Sequence, residues 1–230
     1  MKYTRYDFRK KKDDRMVVLI MIVSMLLAAV VIATILSSIF FKNGTGDAAK
    51  GNDSNKNNAE LGRYTFVVLQ GGLFQVKDYA SALKTKLSDD NNPFIVEDNG
   101  KYRVLVGIYK KEDADKVSQN LSSKQLTPSK MTFNINVKDD SVKMMGEIID
   151  AHVKIINAMK PKGQISYVTD DLKNWSNTKL VLNDKSLKDY DMVQEEKKYI
   201  ASMPKEINKD NLEDYLKHIF SILSKIGEKA

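Results

Sequence analysis

Three segments of this 230-residue chain combine apolar with hydrogen-bonding side chains, and the third of them alternates the two with period two. They are Tyr64 to Gln70 (YTFVVLQ), Lys101 to Tyr109 (KYRVLVGIY) and Met131 to Val137 (MTFNINV), each rich in β-formers. Strand alternation turns Phe66, Val68 and Gln70 to one side of the first segment. It turns Arg103 and Leu105 to one side of the second, and Thr132, Asn134 and Asn136 to one side of the third. A pyranose packs its C–H face on apolar side chains and needs partners for its hydroxyls, which the amides and the hydroxyl supply. Arg103 adds a guanidinium able to pair with a carboxylate.

Other chemistries find few residues to work with. With no cysteine the chain has no disulfide framework, thiolate zinc site or catalytic thiol. Its only histidines, His152 and His218, lie on amphipathic stretches without an H-E-x-x-H spacing, so each reads as a partly buried or surface histidine. No nucleophile elbow, P-loop or glycine-rich dinucleotide motif occurs. The expectation is a binding protein, not an enzyme, with no cofactor and no metal.

The elements that would carry the three segments follow from periodicity. Gly71 and Gly72 predict a turn after the first strand, and Tyr79, Ala80, Leu83 and Leu87 an amphipathic helix. Phe94 to Glu97 and the second segment flank Asp98, Asn99 and Gly100, a strong hairpin signal. Ala114, Val117 and Leu121 mark a second helix, with Glu112 and Asp113 favouring its N-terminus. The order βαββαβ predicts an α+β, ferredoxin-like layer over residues 63 to 138, whose two helices cover one sheet face and leave the other open. Val67, Leu69, Tyr102, Val104 and Val106 are then expected against those helices, together with Met131, Phe133, Ile135 and Val137.

At 42% apolar and 29% charged residues, the composition excludes a wholly disordered or collagenous chain. The net charge of +7 suggests nucleic acid until it is located. Residues 1 to 15 carry seven basic and three acidic side chains, so the excess sits mainly in a short basic tail. Residues 16 to 41 follow without a charge and, as a helix, would measure about 39 Å, enough for a hydrocarbon core of about 30 Å. That run is too long for a cleaved signal peptide and predicts a single membrane span with the N-terminus inside and residues 42 to 230 outside, in the bacterial cytoplasmic membrane. Residues 42 to 62, with four glycines and five asparagines, predict a flexible tether reaching roughly 25 Å. Nucleic acid loses its support.

Residues 139 to 230 read as helical. Val142, Met145, Ile149 and Ile156 form one stripe, and Leu212, Leu216, Ile219, Leu223 and Ile226 the clearest. They are expected to form a small bundle beside the domain; folding back over the open face is the alternative.

Residues 64 to 137 resemble the SPOR family. Gln70 to Phe74 (QGGLF) looks like its V-Q-x-G-x-F turn, Tyr102 to Gly107 (YRVLVG) like its Y-R-V-x-V-G strand, and Tyr79, Ala80, Leu83 and Ala114 match its helix positions. The resemblance implies a ferredoxin-like fold that binds peptidoglycan glycan strands, preferring those stripped of stem peptides, at division or sporulation septa. On that footing Arg103 would receive the muramic carboxylate that stripping exposes. The glycan set is Phe66, Val68, Gln70, Arg103, Leu105, Thr132, Asn134 and Asn136. The rival expectation is an extracytoplasmic scaffold of the division or sporulation machinery without sugar affinity, its C-terminal helices docking other proteins.

Overall fold

The computed structural model of the chain describes residues 62–163 and 166–229, all within one compact unit, Lys50–Ala230. The expected basic tail, membrane span and tether up to residue 61 lie outside the described residues. No helix among the described residues is long and apolar enough to cross a membrane.

The alternating order is present. Strand β1 (Arg63–Phe74) leads to α1 (Lys77–Leu87), then to β2 (Phe94–Asp98) and β3 (Lys101–Lys110). Helix α2 (Lys111–Ser123) and β4 (Ser129–Asn136) complete the unit. The sheet runs β2-β3-β1-β4 with antiparallel pairing throughout, as a ferredoxin-like βαββαβ unit requires. Asn99 and Gly100 both take positive φ, 52° and 72°, which is the turn whose twist matches a two-residue hairpin.

The turn expected at Gly71 and Gly72 is absent. β1 continues to Phe74 through a register irregularity on either side of Gln70. What these glycines provide is close approach: a Cβ on Gly71 would lie 3.1 Å from Leu87, and one on Gly72 would lie 2.7 Å from the Phe74 ring. Helix α1 thereby sits down on the strand. Val67, Leu69, Val104, Val106 and Tyr109 meet Ala80 and Leu87 of α1 and Ala114 and Leu121 of α2 to form the core on this face.

The rest of the chain is not a bundle set aside. It comprises α3 (Asp140–Ala158), β5 (Tyr167–Val168), α4 (Asp170–Lys179), α5 (Tyr190–Ser202), β6 (Glu206–Ile207), α6 (Leu212–Ile226) and β7 (Glu228–Lys229). Helices α3 and α6 pack on the second face of the sheet, and β7 adds to the outer edge of β4 as a fifth strand. The Asp139 carboxylate starts α3 by accepting from the Val142 amide at 3.0 Å. Gly146 lets the Tyr64 ring enter against α3, for a Cβ there would lie 2.3 Å from that ring. On α6, the Phe220 ring meets Phe94 and Phe133 edge-on at centroid distances of 6.2 and 6.3 Å. The result is three layers, helix on sheet on helix, where two layers and an open face were expected.

Candidate functional site

The open face expected to hold sugar is closed. Phe66 is 1% exposed, and Val68 and Leu105 not at all, because α3 and α6 lie over them. The same layer covers Phe94, Ile108, Phe133 and Ile135. At about 1.5–3 kcal/mol per large apolar side chain, burying this set contributes on the order of 10–20 kcal/mol. A millimolar to micromolar glycan site offers about 4–8 kcal/mol. A ligand shifts an equilibrium only by its differential affinity, so no sugar of that strength lifts the helices off.

The polar residues expected beside Phe66 lie on the opposite side of the sheet. β1 and β4 pair Phe66 with Phe133 and Val68 with Met131, whereas Thr132 faces Val67, Asn134 faces Thr65 and Asn136 faces Arg63. Directly paired residues share a face, and a one-residue difference in phase moves a whole strand's side chains across the sheet. Met131, Phe133 and Ile135 therefore belong to the face covered by α3 and α6. Thr132, Asn134 and Asn136 belong to the α1–α2 side, where the Thr65 hydroxyl donates to Asn134 Oδ1 at 2.9 Å. Asn136 is also committed, donating to Glu228 Oε2 at 2.8 Å and tying β7 to the edge.

Gln70 and Arg103 do meet, half-buried at the rim of the second face. Arg103 Nη1 donates to Gln70 Oε1 and Nη2 to Asp98 Oδ2 at 2.6 Å, with Met131 Sδ 3.9 Å away. The hydrogen bond from Arg103 holds the Asp98 carboxyl below the usual carboxylate range. The guanidinium expected to receive a ligand carboxylate thus already carries one from its own hairpin.

One cleft of about 360 Å³ lies where sequence reading placed nothing. The pairing of β2 ends at Phe94 opposite Leu105, and β3 runs on to Lys110 with no strand among the described residues on that side. The space is bounded by α2, the segment at Asp90–Asn92 and the C-terminal end of α3. Its floor is Gly107 with the Tyr109 ring, Val117 and Ile156. Gly107 is required there because a Cβ would stand 2.4 Å from the Tyr109 hydroxyl, which reaches back to the Val106 carbonyl at 3.4 Å. Burial pushes the Tyr109 phenol up, so it stays a neutral donor.

Four amides stand around this floor. Asn157 donates to the Ile108 carbonyl at 3.1 Å and Asn91 to the Leu87 carbonyl at 3.4 Å. Asn92 donates to the Met159 carbonyl, and Asn120 projects from the exposed side of α2. Of the rim charges, Asp90 is paired with Lys124 and, at 3.2 Å, with Lys162, and Asp113 with Lys116 at 3.5 Å. Hydrogen bonds from Lys124 and then Lys162 hold the Asp90 carboxyl below its ordinary value.

The two histidines lie in the helical layer. His152 is wholly buried with Nδ1 2.6 Å from the Tyr215 hydroxyl, and burial, then the nearby His218, lowers its pKa to about 3. His218 Nε2 lies 3.1 Å from Glu196 Oε2, with Tyr199 stacked on the ring at 3.5 Å. No group of three or more metal-ligating side chains occurs among the described residues.

No family model and no curated protein sequence matches the chain. Among solved structures, the solution structure of the peptidoglycan binding domain of the B. subtilis cell wall lytic enzyme CwlC aligns at 18% identity and a TM-score of 0.27. The alignment covers 37% of this chain and 98% of that one. The fold described above stands on its own register and packing.

Proposed function

We propose that the protein binds bacterial cell-wall peptidoglycan and that residues 16 to 41 anchor it in the cytoplasmic membrane with its folded part outside. The observation that carries the reading is that the motif positions shared with SPOR sequences perform the packing of the βαββαβ unit. Gly71 and Gly72 admit α1, Ala80 and Ala114 are fully buried where the two helices meet the sheet, and Gly107 makes room for Tyr109. The finer parts of the proposal come from the sequence resemblance: a preference for glycan strands stripped of stem peptides, and enrichment at division or sporulation septa. No catalytic role is proposed.

A second reading, an extracytoplasmic scaffold for other proteins, is favoured by the filled sheet face, which removes the surface first expected to hold glycan. Co-sedimentation of the full-length protein with purified sacculi, before and after amidase treatment, separates the two. Binding that increases on amidase treatment is expected. Absence of sedimentation with both preparations refutes wall binding and leaves the scaffold.

A further inference from the structure

We propose that the cleft at Gly107 is a carbohydrate site that takes an uncharged N-acetylhexosamine unit, away from both faces of the sheet. The inference rests on the wall-binding reading for its biological ligand, while the ligand's chemical class follows from the cleft.

The volume of about 360 Å³ is at the small end of the range for small-molecule sites, which suits a short sugar rather than a cofactor with a nucleotide. The floor is apolar but closely packed, Tyr109 being 8% and Ile156 2% exposed, so it offers a narrow apolar contact that suits an acetamide methyl rather than a ring on which a pyranose would stack. The amides match the rim of such a ligand: Asn120 offers both a carbonyl oxygen and an NH₂, while Asn91, Asn92 and Asn157, whose NH₂ groups donate to backbone carbonyls, offer their side-chain oxygens to hydroxyls and to the acetamide N–H. Three of them are held in place by the backbone bonds at Asn91, Asn92 and Asn157, so their orientation is set before a ligand arrives. Asn120 makes no side-chain hydrogen bond among the described residues and is the group left to turn toward a sugar.

Charge argues against the other classes. Asp90 and Asp113 sit on the same rim as Lys116, Lys124 and Lys160, and the two carboxylates are already paired with lysines. A phosphate or nucleic acid would meet those carboxylates and find too little unpaired positive charge. An extended peptide would look for the free edge of β3, but the Ile108 carbonyl is taken by Asn157 and the Val106 carbonyl by the Tyr109 hydroxyl. A neutral polyhydroxyl ligand remains.

The test uses the full-length chain in detergent micelles, with tetra-N-acetylchitotetraose followed by isothermal titration calorimetry and sacculi by sedimentation. Asn120→Trp and Lys116→Trp fill the cleft from exposed positions on α2, and Arg103→Ala opens the rim of the sheet. Both tryptophan variants are expected to weaken chitotetraose binding about tenfold or more, with unchanged thermal midpoints, while Arg103→Ala binds as the parent does. The proposal is overturned if the parent takes up no chitotetraose, if both tryptophan variants bind it undiminished, or if Arg103→Ala abolishes binding. Sacculus binding that survives both tryptophan variants also overturns it, and leaves the wall reading standing. Chitotetraose binding without sacculus binding supports the cleft and removes the wall reading instead.

Discussion

Replacing Phe133 by alanine tests whether the C-terminal helices are part of the same core as the sheet. Phe133 has no exposed surface, and its ring lies edge-on to Phe220 of α6. Truncating a buried phenylalanine costs about 3–5 kcal/mol, including the cavity it leaves. On an open sheet face the same change would fall within about 0.5 kcal/mol. With a urea dependence of about 2 kcal/mol per molar for a unit of this size, the unfolding midpoint should drop by roughly 1.5–2.5 M. The single tryptophan, Trp175 on α4, makes the measurement specific. α4 packs on α5, α5 on α3, and α3 on the sheet, so Trp175 fluorescence reports a site three helices away from the mutation. The fluorescence midpoint should move together with the far-ultraviolet circular dichroism midpoint. If Trp175 unfolds at the parental urea concentration while the sheet is weakened, the helices are an independent unit and the closed-face reasoning fails.

Two further outcomes follow from the same layer. The His152 pKa of about 3 lies below the unfolded value of about 6.5, so the unfolded chain binds more protons between those limits. Stability should therefore fall as pH falls from about 6.5 toward 3, by up to about 1.4 kcal/mol per unit, or about 2 kcal/mol by pH 5. His152→Gln should flatten that slope, and urea midpoints that fall as steeply in the variant as in the parent would show that another group is responsible. Gly146→Ala should destabilise by about 1–3 kcal/mol, because its new methyl meets the Tyr64 ring 2.3 Å away and either α3 or the ring must shift. Pairing it with Tyr64→Leu should recover part of the loss, and equal losses in single and double variants would count against that contact.

Local signals carried the strands, the first two helices and the hairpin, because each is written in neighbouring residues. Asn99-Gly100 is a turn wherever β-rich runs flank it, and the apolar spacing of α6 marks its buried face, where Leu216, Ile219 and Leu223 are almost fully covered. Relative phase between strands is different in kind. Nothing local to MTFNINV says whether Phe133 or Asn134 shares a face with Phe66; that is decided by the β1–β4 register. Reversing that phase divided the expected glycan set between two sides of the sheet. The cleft at Gly107 was illegible for a related reason. Asn91, Asn120 and Asn157 come from a loop, α2 and α3, and no short window of sequence holds them together.

The closed face, by contrast, had a signal that the alternation of β4 obscured. Phe66, Val67, Val68 and Leu69 are four apolar residues in succession, and Val104, Leu105 and Val106 are three more before Gly107. A strand wetted on one side alternates, whereas a continuous apolar run is what a strand covered on both sides requires. β1 and β3 carry these runs, and β4, whose outer edge meets only the two-residue β7, alternates. With two helices on the first face, such a sheet would leave Phe66, Val68, Leu105, Ile108, Phe133 and Ile135 as one contiguous apolar patch. A patch of that size in water demands a cover. The apolar stripes of α3 and α6 are the cover the chain itself supplies, and Lys84 paired with Glu213 and Lys110 with Asp150 at 2.8 Å fasten them at the margins. An antiparallel sheet built this way has no face left to offer a ligand. A strand that outruns its neighbour leaves a gap of another kind, and β3 does so beyond Leu105, where the Gly107 cleft proposed above to take a sugar lies.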